Sequence, residues 1–323
     1  MTRPRVVHLV PSLGCNGIAK QLSLVLPRLD VEQTVVAFGA FEPFGPMLEA
    51  ANVRVVRERW RSVANVVRFV RAAKPDVVHA WGTRAARLLP LFAGRRLVSS
   101  HETGGWWTRR LARGAEPLAV SPVVEPLRER VDLRSLFGLP ARAKVVVCVA
   151  SAATTHELHD AVWAFDIAKY PLADLHLVLV GEGARRERLR HFARSLAHDD
   201  LRVHFAGTRA DVPALYAGAD LAWCLARQGG THRVLEAMAA GACVVAMRNP
   251  AVASIVRDGE TGRLVAHADR VALASLTQRL LAPSGEAARL AEAGRAHAAA
   301  NFAVEPMVER LRAAYHDAAA PRP

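Results

Sequence analysis

The stretch Leu221–Ala246, LAWCLARQGGTHRVLEAMAAGACVVA, decides how the rest of the chain is read. It opens and closes on short apolar runs, Leu221–Cys224 (the strand run Asp220–Cys224 after its leading aspartate) and Ala242–Ala246. Both are apolar throughout rather than alternating, as strands covered on both faces must be. Between them, Gly229 and Gly230 let the backbone approach a ligand closely. Thr231 is placed to cap a helix over Thr231–Ala240, and Gly241 to end it. Such a helix points free N–H groups and its positive dipole end at the glycine loop, a ready site for a diphosphate.

Working outward, the same alternation fills the chain. Further β-branched runs occur at Arg5–Val10, Thr34–Phe38, Val53–Arg57, Asp76–Ala80, Arg96–Ser100 and Leu118–Ser121 in the first half. Lys144–Ala150, Leu175–Val180 and Arg202–Ala206 follow in the second. Helical patterns lie between them, for example Ser62–Ala73 with Val63, Val66, Val67 and Val70 on one face. Strand–helix alternation of this kind predicts an α/β protein with parallel, doubly wound sheets. It stops once, between Pro122 and Ala143, where Pro, Arg and Glu replace the strand signals. A linker is expected there, dividing a domain over 1–121 from one over 143–303. Ser284–Ala300 and Val304–Ala319 read as amphipathic helices. Gly181 and Gly183 follow a buried strand and open a helix, which places them at the carboxyl end of a sheet.

With 323 residues, 51% of them hydrophobic, the chain is too apolar to be disordered and long enough for about two domains. Cys15, Cys148, Cys224 and Cys243 are far apart and form no CxxC pair, so buried, reduced thiols are expected. No apolar run reaches the roughly 18 residues that a membrane span needs. The start, Met1–Pro11, is too short for a signal sequence and reads as a first strand, so a cytoplasmic protein is expected. The formal net charge is +13, and only four of the 43 basic residues are lysine. That excess reflects either base composition or a surface attracted to phosphates or an anionic leaflet. Nucleic acid is not an expected partner, because no helix-turn-helix, zinc-finger or RNP-like pattern accompanies the charge. Trp106 and Trp107 stand beside Arg109, Arg110 and Arg113, which suits a peripheral contact at an anionic inner membrane face. The same indoles would equally pack into the first domain or line an acceptor groove.

Five pieces of the second half stand in a telling order: LVLVGEGARRERL, GTRADVPALYAGAD, the stretch quoted above, IVRDGETGRLV and NFAVEPMVERLRAAY. Together they resemble the glycosyl transferases of group 1, close to glycosyltransferase family 4. In the first half, RVVHLVPSLGCNGIAKQLSLVLPRL resembles the family's first strand, glycine loop and first helix, while KPDVVHAWG and RLVSSHETGG resemble its two histidine-bearing strands. The resemblance implies the GT-B fold, two Rossmann-like domains facing a cleft, with the last helix crossing back to the first domain. It implies transfer of a sugar, with retention, from a nucleoside diphosphate sugar to an acceptor hydroxyl in polysaccharide or lipid-linked glycan assembly. By the same resemblance Glu236 holds the ribose, Gly229, Gly230 and Thr231 the diphosphate, and Gln228 the sugar. His101 matches the histidine near the anomeric carbon, and Gly14 and Gly17 the loop near donor phosphate and acceptor. His79, a strand-end histidine, reads more simply as a hydrogen-bonded filler.

The chain departs from that pattern where the family carries an arginine and a lysine after the first strand of the second domain. The matching positions are Ser151 and His156, and the first glutamate of the family's spaced pair is Gln228. Positioned cations stabilise the charge that develops on a leaving diphosphate. The replacement is expected among His156, Arg185, Arg186, Arg227 and Arg233. No DxD, dinucleotide fingerprint or nucleophile elbow occurs, so neither a metal nor a cofactor beyond the sugar nucleotide is expected. Two other readings stay open: a nucleotide-sugar-binding protein without transfer, and a sugar-nucleotide epimerase of the same shape.

Overall fold

A computed structural model describes residues 3–14, 16–56, 63–92, 95–99, 115–118, 120–127, 129–150, 155–181, 186–197 and 202–320. The chain divides into two compact units, Met1–Val123 with Ala303–Pro323, and Val124–Phe302.

The first unit contains β1 (Arg5–Val10), α1 (Gly17–Val25), β2 (Glu32–Ala37), α2 (Phe44–Ala50), β3 (Arg54–Val56), α3 (Val63–Ala72), β4 (Val77–Ala80), α4 (Thr83–Ala86), β5 (Arg95–Ser99) and β6 (Glu116–Leu118). The second contains α5 (Leu133–Phe137), β7 (Lys144–Val149), α6 (Thr155–Ala168), β8 (Leu175–Val180), α7 (Arg186–Ala197), β9 (Val203–Gly207), α8 (Val212–Gly218) and β10 (Leu221–Cys224). It continues through α9 (Thr231–Ala239), β11 (Cys243–Met247), α10 (Pro250–Ala253), β12 (Arg263–Val265), α11 (Arg270–Leu281) and α12 (Glu286–Asn301). The chain then returns to the first unit in α13 (Val304–Ala319).

Each unit is built on one parallel six-stranded sheet, in the order β3-β2-β1-β4-β5-β6 and β12-β11-β10-β7-β8-β9. Counted from its own first strand, each sheet runs 3-2-1-4-5-6, the doubly wound order. The order reverses between β1 and β4 in the first sheet and between β7 and β10 in the second. Folds of this kind bind ligands beyond the carboxyl ends of the strands at that reversal. The central strands have buried side chains on both faces, as their unbroken apolar runs require.

The last helix completes the first core. Val304, Met307, Val308, Leu311, Tyr315 and Ala318 of α13 pack among Val6, Leu22, Val25 and Val77. The Tyr315 hydroxyl lies 2.7 Å from His79 Nδ1, both groups wholly buried. Alongside, the Trp81 indole N–H donates to His8 Nδ1 at 3.2 Å. Burial holds the His8 imidazole down at about 3 and His79 well below its usual range, so both are neutral. His79 is thus a core residue that fastens α13 to β4.

Several boundaries differ from the sequence reading. Pro122–Ala143, read as linker, contains α5, capped at Asp132 and ended by Gly138 in the left-handed region, and buries Val124 and Leu133 in the second unit's core. β12, three residues long, fell below the length at which an apolar run signals a strand. β6 begins two residues earlier than expected, at Glu116. Gly17, expected in a loop, is the first residue of α1; Asn16 caps that helix by accepting the Ala19 N–H at 2.9 Å. Val63 of α3 is exposed, while Val66 and Val70 carry its buried face. Among the described residues, no helix is long and apolar enough to cross a membrane.

Candidate functional site

In the second unit the sheet order reverses between β7 and β10, so the loops following those two strands frame any ligand. The loop after β10 runs Leu225–Gly230 into α9. Gly229 and Gly230 both adopt positive φ, 63° and 82°, and a Cβ on Gly230 would lie 2.5 Å from that of Ala226. Glycine is required there by backbone conformation and by space. Gly230, not Thr231, is the N-cap of α9, and no side chain caps the helix. A glycine at the cap has no side-chain oxygen to offer, so the first-turn N–H groups keep the capacity to bind an anion. The far end follows the expected pattern: Gly241, φ 76°, donates its N–H to the Met238 carbonyl as the helix closes.

Asn249, which the sequence reading passed over, holds this loop. Its side-chain amide donates to the Ala226 carbonyl at 2.9 Å and to that of Gly229 at 3.3 Å, while its Oδ1 caps α10 through the Val252 N–H. The signal was present as Asn249-Pro250 after an apolar strand, a helix-start pattern. What could not be read was that its other end reaches back across the sheet.

Gly181 sits at the end of β8 with φ 123°, and a Cβ there would lie 2.3 Å from the Ala150 carbonyl oxygen. Its N–H donates to the Gly207 carbonyl at 2.8 Å. The glycine therefore lets the ends of β7, β8 and β9 close together beside the reversal point. Gly183, Ser151 and Arg185 lie outside the described residues, as do His101 and the Trp106–Arg113 group. Of the expected donor-side residues described, Gln228 is exposed, Glu236 is partly buried on α9, and His156 is exposed on the first turn of α6. In the first unit, Gly14 lies in the turn after β1, where its N–H donates to Ser12 Oγ at 3.0 Å.

The charges around the reversal point form two linked pairs. Arg233, on α9, donates to the Val149 carbonyl at the end of β7 at 2.6 Å and to Glu157 Oε2 at 2.5 Å. Burial opposes the arginine's charge, but Glu157 outweighs it and holds its pKa above the usual value. Asp160, one turn further along α6 and 3% exposed, accepts from Arg270 Nε at 2.8 Å, and Arg227 Nη2 stands 3.6 Å from its other oxygen. Among the described residues, His, Cys, Asp and Glu form no group of three that could hold a metal.

The family model for glycosyl transferases group 1 matches residues 143–283, a span containing both loops and both ion pairs. The fold is GT-B, and the matched part of this chain is similar to glycosyl transferases of group 1. Over 94% of its length it is 26% identical to the lipopolysaccharide core biosynthesis glycosyltransferase LpsE of Rhizobium meliloti, covering 92% of that protein. It is 31% identical over 182 residues to a GDP-mannose-dependent phosphatidylinositol monomannoside mannosyltransferase of Mycolicibacterium smegmatis, matching 54% of this chain and 47% of that one. Its fold superposes on Anabaena HepE, solved with UDP-glucose, with TM-score 0.80 at 19% identity, over 97% of this chain and all of that one. The likeness to group 1 agrees with the order of motifs in the second unit.

Proposed function

We propose that the second unit binds a nucleoside diphosphate sugar and that the enzyme transfers its sugar, with retention, to a hydroxyl of a glycan or lipid-linked acceptor. The observation that carries this is the uncapped start of α9, set behind two left-handed glycines at the reversal point of the sheet. In this reading the N–H groups of Gly230 and Thr231 receive the diphosphate. Glu236, on the second turn of the same helix, accepts from the ribose hydroxyls. Gln228 faces the sugar, Gly181 and Gly183 line the adjoining loop, and Ser151 and His156 flank the diphosphate. His101 serves the reacting centre, with Gly14 and Gly17 near the acceptor. The anomeric carbon's bond to the diphosphate oxygen breaks, that oxygen keeps the electron pair, and the acceptor oxygen bonds to carbon and loses its proton. No metal or further cofactor enters the scheme. The names of the relatives support a lipopolysaccharide or lipid-anchored acceptor. A peripheral contact of Trp106 and Trp107 with anionic lipid belongs to the proposal on sequence grounds and is checked by vesicle co-sedimentation.

Calorimetric titration with UDP, GDP and ADP tests the reading. One of them should bind, and Glu236→Ala should weaken it roughly 10- to 100-fold, the value of a charged hydrogen bond, with the fold intact. Equal affinity in that variant would remove the ribose role, and no binding of any of the three would overturn the proposal.

A further inference from the structure

The family's two diphosphate cations are missing from the loop after β7, yet the charge of a leaving diphosphate still has to be met. The described arginines near the reversal point are not equivalent. Arg233 is a poor candidate: its side chain is 20% exposed and committed to the Val149 carbonyl and Glu157. Losing it would leave the Glu157 carboxylate, 4% exposed, without its counter-charge. Arg227 is the opposite case. Its side chain is 43% exposed, and among the described residues its one ion-pair partner is Asp160, at 3.6 Å, too far for a good hydrogen bond. It stands three residues before the cap of α9, in the loop that Asn249 holds.

Asp160 makes the arrangement workable. A buried carboxylate stripped of its only cation is costly, but Asp160 has a second one, Arg270, bound at 2.8 Å on the other oxygen and stacked over Trp163. Arg227 can therefore leave Asp160 while the carboxylate stays neutralised.

Resting on the donor-site reading above, we propose that Arg227 is the cation that meets the donor diphosphate, exchanging Asp160 for phosphate oxygens while Arg270 retains Asp160. Arg233 is then a positioning residue that ties α9 to the end of β7. A guanidinium suits this role, because it presents two parallel N–H groups to phosphate oxygens.

The experiment is a titration of the full chain with the nucleoside diphosphate it binds best and with the matching nucleoside, at low and high salt. Arg227→Ala should weaken the diphosphate roughly 10- to 100-fold and flatten its salt dependence, leaving nucleoside affinity unchanged. Arg227→Lys should recover part of the loss. Arg270→Gln should also weaken the diphosphate, because Arg227 is then held by Asp160, and adding Asp160→Asn should restore it. A merely structural Arg270 would show no such rescue; thermal melts of each variant separate binding from folding. If the wild type binds no nucleoside diphosphate, the donor-site reading itself falls. If it binds and Arg227→Ala binds equally with the same salt dependence, only the assignment of Arg227 is overturned. Loss without rescue in the Asp160→Asn, Arg270→Gln pair would overturn the exchange.

Discussion

Single side chains behave here as their surroundings dictate, and the cysteines show it plainly. Cys148, Cys224 and Cys243 are free thiols buried in β7, β10 and β11. Burial pushes Cys224 and Cys243 up to about 12 and Cys148 well above its usual value. The thiolate is the reactive form, so all three should resist alkylation in the folded protein and react only on unfolding. Mass-spectrometric mapping after iodoacetamide at pH 8 checks this; labelling of any of them in the native state would contradict their burial. For these three the reading from sequence holds, because a thiol in an apolar strand has few other fates; Cys15 lies outside the described residues. Asn249 and Asp160 were missed for the opposite reason. Each works through a partner on another element, Ala226 or Arg270, and nothing local to either residue announces it.

At the scale of elements, the turn from β10 into α9 concentrates the constraints. Gly230 has φ 82° and no room for a Cβ beside Ala226. Gly230→Ala should destabilise the second unit by about 1–3 kcal/mol through backbone strain and displace the first turn of α9. Urea unfolding gives the first effect and nucleoside diphosphate titration the second. A variant as stable as wild type that binds as tightly would mean that the glycine's geometry is dispensable. The helix itself was legible, because Gly229, Gly230 and Gly241 bracket an apolar face. Its cap was not: a threonine after glycine is a plausible N-cap by type, but Gly230 in the left-handed region takes that place and puts Thr231 inside the helix. Short elements were equally hard to see. β12 draws its position from pairing with β11, and α5 from packing Leu133 into the core beyond it, neither of which three to five residues can encode.

For the molecule as a whole, the buried pair His8 and His79 makes stability depend on pH. Both have folded pKa values below the ordinary 6.5, so the unfolded chain takes up protons that the folded one refuses. The stability this pair contributes is full above pH 6.5 and is lost as pH drops below it, for His8 down to about pH 3. Urea unfolding at pH 7 and pH 5.5 should show the loss, and His79→Gln should flatten it. Unchanged stability across that interval would mean that the imidazoles titrate normally. The overall architecture was the most legible level of all. Apolar runs recurring between helices require two covered parallel sheets, and that follows from burial alone, without knowledge of any partner residue.

The return of α13 to the first sheet also sets an order of events at the ribosome. Residues 124–302 form one uninterrupted unit that can fold as soon as they emerge. The first unit cannot, although its strands are made first, because Val304, Leu311 and Tyr315 belong to its core. At about 5 to 20 residues per second, its nascent sheet waits roughly 10 to 40 s with that face uncovered. During that interval the apolar strands β1 and β4 are open to chaperones and to one another's copies on neighbouring ribosomes. A helix made after residue 303 thus ends the exposure of strands made before residue 124.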